Sequence, residues 1–419
     1  MNADKLAPRL KRFKSYATAM RYFRWPSLDH FNVAEAILHR NDDSRVALIE
    51  AREAGENIYT FGAMDFFSDK FANALAAVGV KQTGAVAVML PQSAALAVAH
   101  LGVLKMGCAV VPLAEDLSAS SLEHAISDSR AKAIVISRDS RARLDSISNL
   151  KSLEAIFVAG ELDEDLADRH FWREVYAASS DFAIMETRVD MPAFIFYKDD
   201  KAGFVYGHSL LMGSLPAFEM INDFDLDDAF FYTPLKWAGA ETLFGFLYPA
   251  WFYGLPVVAR ESGDMLAVAE RYRVTNLMVS STDLEESQKR YDLCIRNIYS
   301  INEVLPGWAK KIDATFASAY GSEEAPMIMA TCERWFSAPV DSRGRAAPGH
   351  RIEVIDESGR MLPPGKSGQI VLRKPDPSMF LRRCGEPLAD DASEWFPVAR
   401  GFKDEDGSLW LAPTQERSS

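Results

Sequence analysis

The chain is poor in the residues that build metal and redox sites. Its four cysteines, Cys108, Cys294, Cys332 and Cys384, include no CxxC and no two at metal-ligand spacing. Free thiols in a reducing, cytoplasmic compartment are therefore expected. Seven histidines include no pair at i, i+4. His100 and His124 fall in helical patterns and read as structural. Basic residues are also short: 46 Lys and Arg against 59 Asp and Glu give a net charge of −13. This excludes a nucleic-acid binder, which needs a basic excess. No run of 18 apolar residues occurs, so no membrane span is expected. The phosphate, dinucleotide, zinc-protease and nucleophile-elbow motifs are all missing, as are internal repeats and low-complexity tracts.

What is present is a large apolar fraction, 48% of 419 residues, enough for two or three subdomains. From Tyr59 onward, helical periodicity alternates with short continuous apolar runs. Met64–Val78, Ser93–Met106 and Leu117–Ser129 read as helices. Ala85–Pro91, Cys108–Leu113 and Ala133–Ser137 read as buried strands. The pattern resumes after Asp190 with strands at Pro192–Tyr197, Leu255–Ala259 and Asn276–Ser280 and a helix at Leu266–Tyr272. Such alternation means largely parallel sheets covered on both faces. After Ala338, glycines and prolines punctuate short strands at Arg351–Asp356 and Gln369–Arg373, as in a small antiparallel or barrel-like unit. The expected class is α/β, with two packed α/β subdomains and a small β-rich one. The expected division is 1–22, a basic N-terminal helix; 23–190; 191–337; and 338–419, with the subdomains interleaving.

Lys5, Arg9, Lys11, Arg12, Lys14, Arg21 and Arg24 make the N-terminus basic without the apolar core of a signal peptide. An exposed leading helix is the simplest reading, with a transit peptide or membrane-surface helix as the alternative. Leu162–Asp168 reads as an acidic surface segment, and Asp404–Gly407 as a solvated turn.

Taken in order, several segments resemble one family. They include Phe31-Asn-Val-Ala, Tyr59-Thr-Phe-Gly, Leu90-Pro-Gln-Ser, Leu104–Leu113, Tyr232–Gly239, Pro249–Val258, Tyr320-Gly-Ser-Glu-Glu324, Gly344–Gly349 and Leu362–Gly365. The sequence resembles the AMP-forming acyl-CoA synthetases of the adenylate-forming superfamily, and most of all the acetate, medium-chain and aryl acid branch. The likeness runs from about Phe23 to Leu411. It implies the N-terminal domain of an enzyme that activates a carboxylic acid with ATP and Mg²⁺, then transfers the acyl group to coenzyme A.

The family's chemistry has four requirements, and the sequence departs from each. A Ser/Thr/Gly-rich loop holds the triphosphate. Here only Lys198-Asp-Asp-Lys-Ala202 joins the strand to Gly203, Ala202 stands at the family's lysine, and a plain tight turn is expected. Lys198 or Lys201 could rescue phosphate binding. The family's ribose carboxylate aligns with Ala399, or with Arg400 if the alignment slips by one. In the adenine and metal region, Tyr320, Gly321, Ser322 and Glu324 match the family motif, with Glu324 as the weak Mg²⁺ candidate. Glu323 adds charge there, and Ser300-Ile-Asn-Glu303 replaces a glycine-rich wall. Finally, the chain ends where the family's hinge begins, so the domain bearing the catalytic lysine is expected to be missing. The acid pocket is less altered: Trp237, Ala238 and Gly239 could line it, although Trp237 could equally fill the core.

The resemblance therefore implies a degenerate homologue unable to adenylate, with no catalytic residue assigned and ATP, Mg²⁺ and coenzyme A no longer used. It would bind a small aryl or short-chain carboxylate, a protein partner or a second copy of itself. The alternatives are a ligase completed by a separate C-terminal subunit, and a pure scaffold.

Overall fold

The structure is a computed structural model. It describes residues 6–53, 55–161, 167–198, 202–260, 263–283, 290–303, 312–339, 341–387 and 393–412. The expected α/β class is borne out. One eight-stranded sheet runs Arg382–Arg383, Phe204–Gly207, Pro192–Phe196, Ala109–Pro112, Ala85–Met89, Ala133–Ser137, Ala155–Ala159, Arg169–His170. All its pairings are parallel except those made by Phe204–Gly207. A nine-stranded sheet runs from Arg345–Ala346 through Ala325–Ala330, Thr315–Ser322, Asn297–Ile301, Asn276–Met278, Phe231–Tyr232, Val257–Ala259 and Val46–Ala51 to Glu56–Thr60. A four-stranded antiparallel sheet, Ile352–Ile355, Gly368–Arg373, Trp395–Lys403 and Leu409–Leu411, forms the small β-rich unit.

The chain weaves between the large sheets. Residues 46–60 lie in the nine-stranded sheet, whereas residues 192–207 lie in the eight-stranded one. One hydrophobic core serves both, including Leu48 and Val257 from one sheet and Val86 and Val110 from the other. Two helices within it are buried, Ala94–Lys105 along its whole length and Ser209–Ile221 from Leu210 onward. A helix apolar on all sides needs cover on all sides, and this position provides it. Ser93 caps the first of these helices by accepting from the Leu96 N–H at 3.2 Å. Its one charge, the fully buried Lys105, is met by Asp65 at 2.6 Å and Asp69 at 2.5 Å. Gln92 ties the two halves together: its amide donates to the carbonyls of Thr233 (3.0 Å) and Leu235 (2.5 Å) and accepts from the Arg260 N–H (2.8 Å).

The leading segment differs from the exposed helix expected. It forms a short 3-10 turn at Leu10–Arg12 and a helix at Tyr16–Tyr22, with Leu6, Ala7, Leu10, Ala19 and Phe23 buried. The buried carboxylate of Glu219 draws it in, accepting from the N–H groups of Arg9 (2.9 Å) and Leu10 (2.5 Å). Those are orphan donors at the start of the turn, so one carboxylate satisfies two of them. The Asp404–Gly407 segment is a turn, as read: Asp404 accepts from the Ser408 N–H and the Trp410 indole. Most of Leu162–Asp168 lies outside the described residues.

Candidate functional site

The segment corresponding to a phosphate loop begins where strand Pro192–Phe196 ends. That strand pairs antiparallel with Phe204–Gly207, Phe196 opposite Phe204. Asp199, Asp200 and Lys201 lie outside the described residues, but both ends of the connection are defined. Asp128, near the end of helix Ala119–Ser129, accepts from the Tyr197 hydroxyl at 2.9 Å and the Gly203 N–H at 3.1 Å. One carboxylate thus holds both ends of the connection. Burial above all, then the thiol of Cys384 and the carboxylate of Asp128, raise the Tyr197 phenol far above its ordinary range, so it stays a donor.

Tyr320, Gly321, Ser322, Glu323 and Glu324 form one hairpin. Strands Thr315–Ser322 and Ala325–Ala330 pair antiparallel, leaving Glu323 and Glu324 as a two-residue turn. The Ser322 hydroxyl accepts from the N–H groups of Glu324 (3.2 Å) and Ala325 (3.3 Å). Gly321 is required by its neighbours, since a Cβ there would lie 2.5 Å from the Met327 nitrogen. Its N–H donates to the side-chain oxygen of Asn302 at 3.1 Å, and Asn302 has a left-handed φ of 64°.

The charges of this hairpin are already paired. Lys198 lies 2.5 Å from Glu323, and Arg383 lies 4.0 Å from Glu324. Beneath them the buried Tyr206 hydroxyl donates to the Glu323 carbonyl. Burial and then the carboxylates of Glu324, Glu241 and Glu323 hold that phenol well above its ordinary range. Three acidic side chains therefore stand near the Tyr206 hydroxyl. Among the described residues, no group of three or more His, Cys, Asp or Glu is arranged to hold a metal ion.

Tyr320 and Ala399 share one apolar cluster with the small sheet, and Arg400 is exposed. The Arg343 guanidinium lies over the Tyr320 ring, 5.8 Å from its centroid, so one aromatic face is covered. Burial raises the Tyr320 phenol pKa as well.

On the acid side, Trp237 is 1% exposed and packs against Phe246 and Trp251, while Ala238 and Gly239 remain half-buried. The Trp237 indole N–H is buried and has no hydrogen-bond partner among the described residues. Opposite, Ile301 reaches over a π-helical turn at Leu243–Leu247: a Cβ at Gly245 would lie only 2.0 Å from its Cδ1. A bulky side chain and a glycine thus interlock where a glycine-rich wall would leave a gap. His100 is buried against the Tyr248 hydroxyl at 2.7 Å, with burial lowering its pKa to about 3, and His124 packs on the Tyr197 ring.

Residues 35–198 match the AMP-binding enzyme family. The relatives of this chain are acyl-CoA synthetases. An uncharacterised acyl-CoA ligase of Bacillus subtilis is 23% identical over 404 residues, covering 88% of this chain and 73% of the relative. An acetyl-coenzyme A synthetase of Pyrobaculum aerophilum is 24% identical over 390 residues, covering 80% and 58%. Among solved structures, the acyl-CoA synthetase of Brucella canis superposes with a TM-score of 0.85 at 20% identity, covering 96% of this chain and 80% of that one. An anthranilate CoA ligase in complex with anthranoyl-AMP superposes with a TM-score of 0.81 at 18% identity, covering 91% and 77%. At these identities the superpositions establish the fold. This acyl-CoA-synthetase-like chain spans 58–73% of the length of these two curated relatives.

The sequence had marked Glu323 as a charge that repels phosphate; its contact with Lys198 was not foreseen. Asp128, Tyr206, Glu241 and Arg383 were missed altogether, because no local pattern distinguishes them from ordinary surface or strand residues.

Proposed function

We propose that this acyl-CoA-synthetase-like chain does not adenylate and acts by binding. The observation that carries the reading is the 2.5 Å contact between Lys198 and Glu323. A lysine available to the phosphate segment is turned onto a carboxylate, and that carboxylate stands where the family motif has a hydroxyl. The residues present do not fit MgATP. Ala399 offers no acceptor to a ribose, Glu324 faces Arg383, and Arg343 covers Tyr320. The cations near the phosphate position, Lys198 and Arg383, are already turned onto Glu323 and Glu324, so an incoming phosphate would have to displace a carboxylate from each. The isolated adenylation half-reaction, ATP–pyrophosphate exchange, tests this over a panel of short-chain and aryl acids. No exchange above that of Glu324→Ala is expected; acid-dependent exchange by the unmodified chain would overturn the reading.

Two observations bear on what is bound. The interlock of Ile301 with Gly245 narrows the acid pocket and favours a protein partner. The partnerless indole N–H of Trp237 favours a carboxylate, because a buried donor left unpaired costs about 1–3 kcal/mol that an incoming acceptor would recover. Thermal shifts with benzoate and butyrate decide between them. A shift lost in Trp237→Phe supports the carboxylate, and no shift in either protein supports the protein partner.

A further inference from the structure

The basic N-terminal stretch plays no part in the site described above. Residues 5–25 carry seven Lys and Arg and no Asp or Glu, in a chain of net charge −13. The fold keeps this segregation at the surface. Arg9, Lys11, Arg12, Lys14, Arg21 and Arg24 are all exposed, while Leu10, Ala19 and Phe23 among them are buried and Phe13, Tyr16 and Met20 half-buried. The segment is anchored by Glu219, so its charges sit on a fixed platform rather than on a loose tail.

Two pits open on either side of Trp25. The first, about 280 Å³, is lined by Arg9, Arg12 and Arg24 and by no acidic residue. The second, about 370 Å³, is lined by Arg24, Arg351, Arg373 and Lys374. Its one acidic lining residue is Asp376, which is buried and faces His350 at 2.8 Å. Among the described residues, Glu394 is engaged with Arg373 at 2.5 Å, Asp227 with Lys11 at 3.2 Å, and Glu219 with backbone N–H groups. Arg24 is steadied by donating to the carbonyls of Arg21 (2.9 Å) and Phe23 (2.6 Å), and no carboxylate pairs with it among the described residues. Guanidinium groups recognise phosphate through paired, charge-assisted hydrogen bonds, and concave walls strengthen their local field.

We propose that the two pits flanking Trp25 form a binding site for phosphate groups, spanned by a ligand that carries at least two of them. The ligand is a soluble phosphorylated compound or a phospholipid headgroup. Because the chain as a whole repels anions, attraction is confined to this face and weakens as salt screens it.

The full chain is titrated calorimetrically with inorganic tripolyphosphate, without Mg²⁺, at low and raised salt. In parallel it is sedimented with phosphatidylcholine vesicles with and without phosphatidic acid. Salt-sensitive binding in either arm is expected. It should weaken on the order of tenfold or more in Arg24→Glu/Arg351→Glu and stay unchanged in Lys198→Ala. Arg12→Glu provides a second exposed substitution, and unchanged melting temperatures show that the variants fold. Binding of tripolyphosphate alone assigns a soluble ligand; binding of phosphatidic acid vesicles as well assigns a headgroup. No binding in either arm, or binding indifferent to both charge reversals, overturns the proposal.

Discussion

If the proposed reading holds, restoring two groups should confer nucleotide affinity. The perturbation is Glu323→Thr combined with Ala399→Asp, in an Arg24→Glu/Arg351→Glu background that silences the basic face. Like charges 4 Å apart repel by about 4 kcal/mol at an effective dielectric of 20. The Glu323 side chain is 38% exposed, so solvent screening reduces this to about 1–2 kcal/mol. The Lys198–Glu323 pair itself, with Lys198 65% exposed, is worth about 1 kcal/mol or less and is no obstacle to the change. At Ala399, two missing charge-assisted acceptors cost about 1.5–3 kcal/mol each. The total is about 4–8 kcal/mol, or ~10³–10⁶ in affinity. Calorimetric titration with MgATP should therefore show no binding by the parent and a measurable dissociation constant for the double variant. Ala399→Asp should recover more than Glu323→Thr. A parent that binds MgATP as tightly as the double variant would refute the argument, because neither side chain would then be the obstacle.

Other perturbations reach the remaining parts of the site. Ile301→Ala should cost about 2–4 kcal/mol in chemical denaturation, by emptying the space over Gly245, and should give a larger benzoate-induced rise in melting temperature than the parent shows. Asp128→Ala should remove about 1–3 kcal/mol from the tie between Tyr197 and Gly203, read as faster hydrogen exchange at the Gly203 amide with unchanged exchange in strand Ala85–Met89. Glu219 has its carboxyl pKa raised above the ordinary 4.5, burial outweighing the hydrogen bonds from Tyr253, Leu10 and Arg9. The native state then holds the proton more tightly than the unfolded chain, so this group's contribution is full below pH 4.5 and declines as pH rises through its folded value. The melting temperature of Glu219→Gln, measured relative to the parent, should accordingly climb as pH rises above 4.5; a flat difference would contradict the buried, proton-favouring carboxylate.

What could be read from the sequence was whatever repeats within a few residues. The helix at Phe61–Ala77 and the strands at Ala85–Met89 and Ala133–Ser137 follow from local apolar spacing, and the structure places them within a few residues of the expected limits. The small antiparallel sheet was announced by its glycines and prolines. The leading segment was misread because its five buried residues alternate with basic ones, and the carboxylate that anchors it lies 209 residues away at Glu219. Trp237 could fill the core or line a pocket as far as sequence can tell, and only its packing on Phe246 and Trp251 shows which way it faces.

The candidate site was legible as losses and illegible as replacements. A missing Ser/Thr loop, a missing ribose carboxylate and an extra Glu323 can each be seen one position at a time. Their consequence depends on pairs formed across the fold: Asp128 with Gly203, 75 residues apart, and Lys198 with Glu323. An isolated carboxylate near a phosphate position is only repulsive, and a neighbouring cation could offset it by binding the phosphate in its place. Once the lysine is committed to that carboxylate, an incoming phosphate must break the pair and then face the freed negative charge. The two substitutions therefore oppose nucleotide binding together more strongly than the sum of their separate effects, the coupling expected of residues in direct contact. That coupling makes the Lys198–Glu323 contact, rather than any single missing motif, the stronger ground for reading this chain as a binding protein built on a ligase fold.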